Sequence, residues 1–203
     1  MKININCLIK KMVILSISAL FMMSCEDDIS SLQTSVSFDA KKGVGQETEG
    51  GVVFHIDTLE RKAYVVSKQD VGTFTPGCWE VSIDGAEGIA TGTGKQNTLD
   101  IVSACSETNI AAKACADYDC GDYDDWFLPS KDELNQIYRN KSTLEHTKGF
   151  VALATTFYWS STQINSSNVK LSWLQNFDNG DQHTTSRFYY NINHVRAVRV
   201  FDY

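Results

Sequence analysis

Only two prolines, Pro76 and Pro129, interrupt the 203-residue chain, and no internal repeat divides it. Nothing in its length therefore calls for a second folded domain. Positive charge is also in deficit. With a formal net charge of −7 the chain has no basic stripe, which argues against a nucleic-acid partner. No apolar run approaches the about 20 residues a membrane-spanning helix needs. The longest, Met12 to Met23, is too short. Catalytic signatures are missing as well: there is no nucleophile elbow, no His-Glu-x-x-His, and no helical pair among His55, His146, His183 and His194. The glycine-rich run from Gly85 to Gly94 lacks the Lys-Ser or Lys-Thr ending of a phosphate loop and reads as a surface turn.

What is present begins with that short apolar run. Lys2, Lys10 and Lys11 flank it, Ser24 is the small residue before the cleaved bond, and Cys25 follows. The pattern resembles a bacterial lipoprotein signal, which implies lipidation of Cys25 and a palmitate-type anchor. Each buried methylene of such a chain contributes about 0.8 kcal/mol, so several acyl chains hold a protein stably. Glu26, Asp27 and Asp28 resemble the export signal that sends some lipoproteins to the outer face of the outer membrane. The expected organisation is a signal peptide at 1–24, a lipidated flexible tether at 25–48 and a folded domain at 49–203. A tether is expected because the chain is Ser, Thr, Lys and Gln rich from Ile29 to about Gly45, with little apolar periodicity. A domain of roughly 150 residues can bury about two-thirds of its unfolded surface around one core.

Cysteine usage fits an oxidising compartment. Cys7 leaves with the signal and Cys25 carries lipid, so Cys78, Cys105, Cys115 and Cys120 remain. Three pairings are open. The favoured one joins Cys105 to Cys115 and Cys78 to Cys120, because the first bond ties the end of one short helix to the body of the next. Chain entropy would give roughly 3 kcal/mol for the short loop and about 4 for the long one. A four-cysteine zinc site is the weaker rival, since Cys-x-x-Cys is absent.

Strand signals lie at both ends and helix signals between. Gly51 to Ile56 and Lys62 to Ser67 are β-branched and aromatic runs around a turn at Asp57 to Arg61, which predicts a hairpin. Trp79 to Ile83 predicts a third strand. Asn97 and Asn109 each open a short helical pattern, and Ser130 with Glu133 forms a capping box after Pro129. Tyr158 to Ser161, Trp173 to Phe177 and Val195 to Phe201 read as strands. This order is α+β. Trp126, Phe127, Leu128, Trp159 and Trp173 are expected core anchors. Arg196 and Arg199, three apart in an apolar strand, should face opposite sides, and at least one should meet a carboxylate, Asp124 or Asp125 being a plausible partner.

The motifs GGVVFHID at Gly50, GTGKQNTLDIVSAC ending at Cys105, AAKACADY from Ala111, DYDDWFLPSKDELNQIY from Asp122, YWSST from Tyr158, WLQNFDNGDQ from Trp173 and VRAVRVF from Val195 occur in this order. Together they resemble an exported-domain family of unknown function, similar to the C-terminal domain of a collagen-like bacterial adhesin. The resemblance covers nearly all of the chain after Gly50. It implies a C-type-lectin-like fold, short helices packed on small antiparallel sheets, of the variety also used by formylglycine-generating enzymes. Those enzymes work through a cysteine-bound copper late in the chain, and no cysteine follows Cys120 here. That chemistry does not transfer, and fold kinship alone carries no activity.

Between its anchors the segment from Gln163 to His194 is dense in Asn, Ser, Thr, Tyr and His. Such side chains give adaptable hydrogen bonds and rigid aromatic area, as in antibody loops. Phe188, Tyr189 and Tyr190 cannot all enter one core, because neighbouring strand residues alternate faces. The region is similar to the variable region of target proteins diversified by retroelements. The candidate ligand contacts on that resemblance are Leu174, Asn176, Asp178, His183, Thr184, Thr185, Phe188, Tyr189, Tyr190, Asn191 and His194, flanked by Trp173. The expected partner is an external protein or glycan. The rival readings are an adhesin of fixed glycan specificity and a structural component of the cell envelope. No cofactor is required by the sequence; calcium at Asp117, Asp119, Asp122, Asp124 and Asp125 is a weaker expectation than an acidic turn.

Overall fold

A computed structural model of the protein describes residues 43–79, 81–120, 122–165, 170–187 and 191–203. The expected signal, Cys25 and nearly all of the tether lie outside them. Among the described residues, two sheets and four short helices make up the fold, the α+β, C-type-lectin-like arrangement the motifs imply. The first sheet contains β1 (Glu47–Thr48), β2 (Gly51–Asp57), β3 (Lys62–Ser67) and the late strand β9 (Val198–Asp202), in the order β1-β2-β3-β9. The second contains β4 (Gly72–Phe74), β5 (Phe157–Asn165), β6 (Lys170–Asn176), β7 (Gln182–Ser186) and β8 (Asn193–Val195), in the order β4-β8-β5-β6-β7. The first sheet thus joins the early strands to the last one, β9, through β3, while the second leaves β7 as an edge.

The hairpin forms where the sequence predicts it. Val52, Val53 and Phe54 are fully buried, with a register shift between Val53 and His55. Asp57 Oδ1 accepts from the backbone N–H of Leu59 at 2.9 Å and of Glu60 at 3.0 Å, which fixes the turn. Helix α1 (Gly94–Ala104) and α2 (Ala111–Ala116) pack with Trp126, Leu128, Trp159, Leu174 and Val195 in one core cluster. Helices α3 (Lys131–Arg139) and α4 (Lys141–Glu145) supply Leu134, Ile137 and Leu144 to a second cluster with Phe54, Tyr158 and Phe177. Phe127 joins the two layers, exchanging backbone hydrogen bonds with Val198 at 2.8 and 2.9 Å.

The capping box at α3 is present: the Ser130 side chain accepts from Glu133 N and the Glu133 carboxylate accepts from Ser130 N. Glu133 does more than cap. Fully buried, it also takes the Gly92 N–H on Oε1 at 2.8 Å and so binds the glycine-rich loop to the helix. Gly94 is required there, because a Cβ would stand 2.2 Å from Glu133 Oε2.

Several expectations are corrected. Cys78 pairs with Cys105, and Cys115 is a buried free thiol, so neither the Cys105–Cys115 nor the Cys78–Cys120 bond forms. The reason is placement: Cys115 points from α2 into the core, while Cys105, just past the end of α1, meets the loop carrying Cys78. Trp79 to Ile83 is irregular in its described residues, with Trp79 44% and Val81 42% exposed. The short strand of that region is Gly72–Phe74, which borrows its partner from β8, more than a hundred residues away. Asn97 lies inside α1 rather than at its start; its amide holds Gly88 O at 2.7 Å and Ser161 Oγ at 3.3 Å. Ile110, not Asn109, occupies the position before α2. Both arginines find carboxylates. Arg199 takes Asp125, with Nε to Oδ1 at 2.7 Å and Nη2 to Oδ2 at 3.2 Å, and also Glu49; Arg196 takes Asp70.

Candidate functional site

The second sheet brings the late polar segment onto β6, β7 and β8. Its register places Trp173 opposite Thr184 and Leu174 opposite His183, with Trp159 of β5 beside Leu174. Because successive strand residues alternate, the expected contacts divide between two faces. Leu174, 6% exposed, packs into the core with Trp159 and is no surface contact. Trp173 is half-buried on the other face, where the Lys131 ammonium sits 4.7 Å from its ring centroid. Gln182 Nε2 donates to Lys131 O at 3.0 Å, and Gln175 Nε2 to Asn135 Oδ1 at 2.9 Å, so α3 covers that face.

The edge strand is different. All five residues of β7 are at least partly exposed, His183 the most. The His183 ring meets the edge of Phe157 at 5.8 Å, and the side chains of His183, Thr184 and Thr185 take part in no hydrogen bond among the described residues. His183 is exposed, and Thr184 and Thr185 are partly so. On β5 and β6, in contrast, Ser160, Thr162, Gln163, Ser172 and Gln175 are buried, and each makes hydrogen bonds within the fold.

The turns at both ends of β7 are built by local side-chain bonds. Asn176 Oδ1 accepts from Asp178 N at 2.8 Å, and Asp178 is exposed. Gly180 adopts φ +87°, and a Cβ there would lie 2.4 Å from Tyr138 Cε1. At the far end Asn191 Nδ2 donates to Ser186 O at 2.7 Å, returning the chain to the strand, and Ile192 beside it is 59% exposed. Phe188, Tyr189 and Tyr190 lie outside the described residues.

His194, the last expected contact, is engaged inward. Its Nδ1 is 2.8 Å from Asp70 Oδ2, and the Tyr158 hydroxyl approaches both Asp70 oxygens at 3.1 and 3.0 Å. Arg196 Nε lies 2.8 Å from Asp70 Oδ1 as an ion pair, though out of line for a hydrogen bond. The buried guanidinium donates instead to Ser67 O and Val151 O at 3.1 and 3.0 Å. This cluster, with Arg196 and Tyr158 buried and His194 and Asp70 half-buried, is a brace joining β8 to the chain before β4. Burial and the Asp70 charge push the Tyr158 hydroxyl well above its usual range, so it stays a donor.

Sequence reasoning missed Asp70 and also Arg187, because neither stands in a motif. Arg187 follows β7 and is fully buried. Its Nη2 donates to Val81 O at 2.6 Å and Asn165 Oδ1 at 3.2 Å, while the Asn165 amide donates to Ile83 O at 2.6 Å and Glu87 Oε1 at 2.7 Å. Three loops are thereby fastened at one end of the sheet.

Other chemistry is sparse among the described residues. No three His, Cys, Asp or Glu side chains converge as a metal site there, and two carboxylates of the acidic loop are taken, Asp117 by Lys113 and Asp125 by Arg199. Burial pushes the Cys115 thiol far up, so it is held as an unreactive thiol. No helix among the described residues is long and apolar enough to cross a membrane.

A sequence model of the family described as the Lcl C-terminal domain matches residues 71–199, which takes in both helical pairs and all of the second sheet. A search of curated proteins returns no match.

Proposed function

We propose, on the premise that the chain belongs to the Lcl C-terminal domain family, an adhesin-like family of surface proteins, that it is a binding module whose β7 edge and adjoining loops recognise an external ligand. The observation that carries this reading is the row of unpartnered polar side chains, His183, Thr184 and Thr185, on a strand whose backbone is held by β6. A rigid sheet edge with free donors and acceptors can recognise a ligand without first ordering itself, which lowers the entropic cost of binding. Exposed Trp79, Val81 and Ile192 add apolar surface at nearby loops. The module acts by binding, without catalysis. The histidine with an aligned carboxylate, His194, is committed to the Asp70 brace, and the Cys115 thiol is sealed.

The same reading extends to the cell. Cys25 carries lipid, the chain from residue 26 to about 42 acts as a tether, shorter than the expected 25–48 because Glu47–Thr48 already pair with β2 in the first sheet, and the domain faces outward from the outer membrane. Its ligand face is the variable region of a retroelement-diversified target. This is supported by the side chains of His183, Thr184 and Thr185, whose replacement removes no hydrogen bond from the described structure. Sequencing the 3′ end of the gene through a growing population, with its flanking DNA, tests the finer claim. Substitutions concentrated in codons 163–194 at template adenines support diversification; a uniform region with no near-copy template refutes it and leaves an adhesin of fixed specificity.

A further inference from the structure

The main chain of β7 has a defined outward side. Asn176 N donates to Asp181 O at 2.9 Å, so the peptide groups of this pair face each other between β6 and β7. In an antiparallel ladder such pairs alternate with pairs whose peptide groups turn away. Along the unbroken register, His183 and Thr185 therefore face β6, and Gln182, Thr184 and Ser186 present N–H and C=O outward. Two further bonds agree. The outward Ser186 O is the atom that Asn191 Nδ2 reaches at 2.7 Å, and Trp173 O of β6, which this alternation turns toward β5, accepts from Ser160 Oγ at 3.0 Å. Asn191 thereby closes its loop onto Ser186. The open positions are Gln182 and Thr184, whose outward main-chain groups enter no hydrogen bond among the described residues.

Natural sheets blunt such edges with proline, lysine, a bulge or a very short strand. β7 reads Gln-His-Thr-Thr-Ser over five residues, with no proline, lysine or register shift. The other described edges are short or covered: β1 has two residues, β4 has three, and Phe127 pairs with Val198 on β9. We propose, resting on the reading that β7 binds an external ligand, that this ligand is an extended polypeptide segment that joins the second sheet as a further strand beside β7. A donor and an acceptor on one residue, repeated two residues on at about 6.8 Å, have the spacing of another extended main chain. The main chain then supplies affinity, and the flanking side chains of His183, Thr184 and Thr185 supply selection. Charge narrows the partner. Asp178 and Asp181 are exposed at the Gln182 end and in no ion pair among the described residues, which favours a segment with Lys or Arg there. A second copy of the chain, carrying its own net charge of −7, is disfavoured by repulsion.

The test presents the full chain in detergent to a phage-displayed library of linear peptides of about eight residues, a full strand's length. Selected peptides are resynthesised, each with one main-chain N-methyl group at every position in turn, and their affinities measured by fluorescence polarisation. Losses of about tenfold or more at alternate residues, with changes under about threefold between them, are expected, because only every second N–H meets β7. On the protein, Thr184→Pro removes an outward N–H and leaves the bonds between β6 and β7 intact. It should bind about tenfold or more weakly than Thr184→Ala, a comparison in which loss of the hydroxyl cancels. Should Thr184→Pro not fold, the N-methyl series on the unaltered protein decides. No selected peptide, N-methyl losses without the two-residue period, or equal affinity of Thr184→Pro and Thr184→Ala overturns the proposal. Self-association of the chain that Thr184→Pro abolishes also overturns it, because the occupant is then a second copy. A glycan whose binding falls when His183, Thr184 and Thr185 are replaced, with no peptide bound, keeps β7 as the binding edge and refutes the added strand, so the two readings fail separately.

Discussion

Replacing Glu133 with glutamine isolates one buried charge whose effect can be followed with pH. The carboxylate is fully buried, with Oε2 accepting the Ser130 N–H at 2.7 Å and Oε1 the Gly92 N–H at 2.8 Å. Burial raises its pKa above the ordinary 4.5, outweighing the backbone hydrogen bonds, which pull the other way. Because the folded pKa is the higher one, folding favours the protonated form. The stability this supplies is fully present below pH 4.5 and is lost as pH rises through the raised folded value. Glutamine cannot titrate, and it has one oxygen for two backbone donors, so its amide nitrogen must face an N–H. One charge-assisted bond worth about 1.5–3 kcal/mol is lost, partly offset by no longer desolvating a charge. Glu133→Gln should therefore be about 1 kcal/mol less stable at pH 7, with a larger deficit below pH 4.5. Urea unfolding of both proteins at several pH values measures this, and taking their difference cancels the other carboxylates. A difference that does not change with pH, or a variant more stable than the parent at pH 7, refutes the reasoning.

Three further outcomes are expected. Replacing Cys78 with Ser removes a bond across a sequence separation of 27 and should cost about 3.5 kcal/mol by the chain-entropy relation. Non-reducing peptide mapping that finds Cys105 joined to Cys115 instead would contradict the pairing. Asp70→Asn strips the carboxylate from buried Arg196 and should lower stability by about 3 kcal/mol in urea unfolding, whereas a change under 1 kcal/mol would show that Arg196 is satisfied by Ser67 O and Val151 O alone. Cys25→Ser should move the protein from the membrane fraction to the soluble one, and its retention in membranes would sink the lipid anchor.

How much of this was readable in advance depended on whether the cause was local. The capping box at Ser130 and Glu133 and the hairpin from Gly51 to Ser67 rest on spacing within a few residues, and both stand in the structure. The seven ordered motifs pointed to the family that residues 71–199 match. Strand β4 escaped notice because three residues paired with distant Asn193–Val195 leave no periodicity of their own. The disulfide was misassigned because sequence spacing says nothing of the direction in which Cys115 leaves its helix. The candidate face was legible as composition and illegible as geometry. Leu174 and His183 are opposite each other in the ladder and share a face, yet Leu174 is buried and His183, on the edge strand, is exposed, which depends on how far the core reaches across the sheet, and the inward commitment of His194 depends on Asp70.

The central claim is that the β7 edge binds, and it is tested by presenting the purified chain and its His183→Ala, Thr184→Ala, Thr185→Ala triple variant to the same glycan and protein arrays. The account predicts at least one ligand bound by the parent and weakened by about tenfold or more in the variant, equivalent to about 1.4 kcal/mol, with Tm changed by no more than about 2 °C. Ligands bound equally by both proteins, no ligand bound by the parent, or a variant that loses binding only because it unfolds, would contradict it.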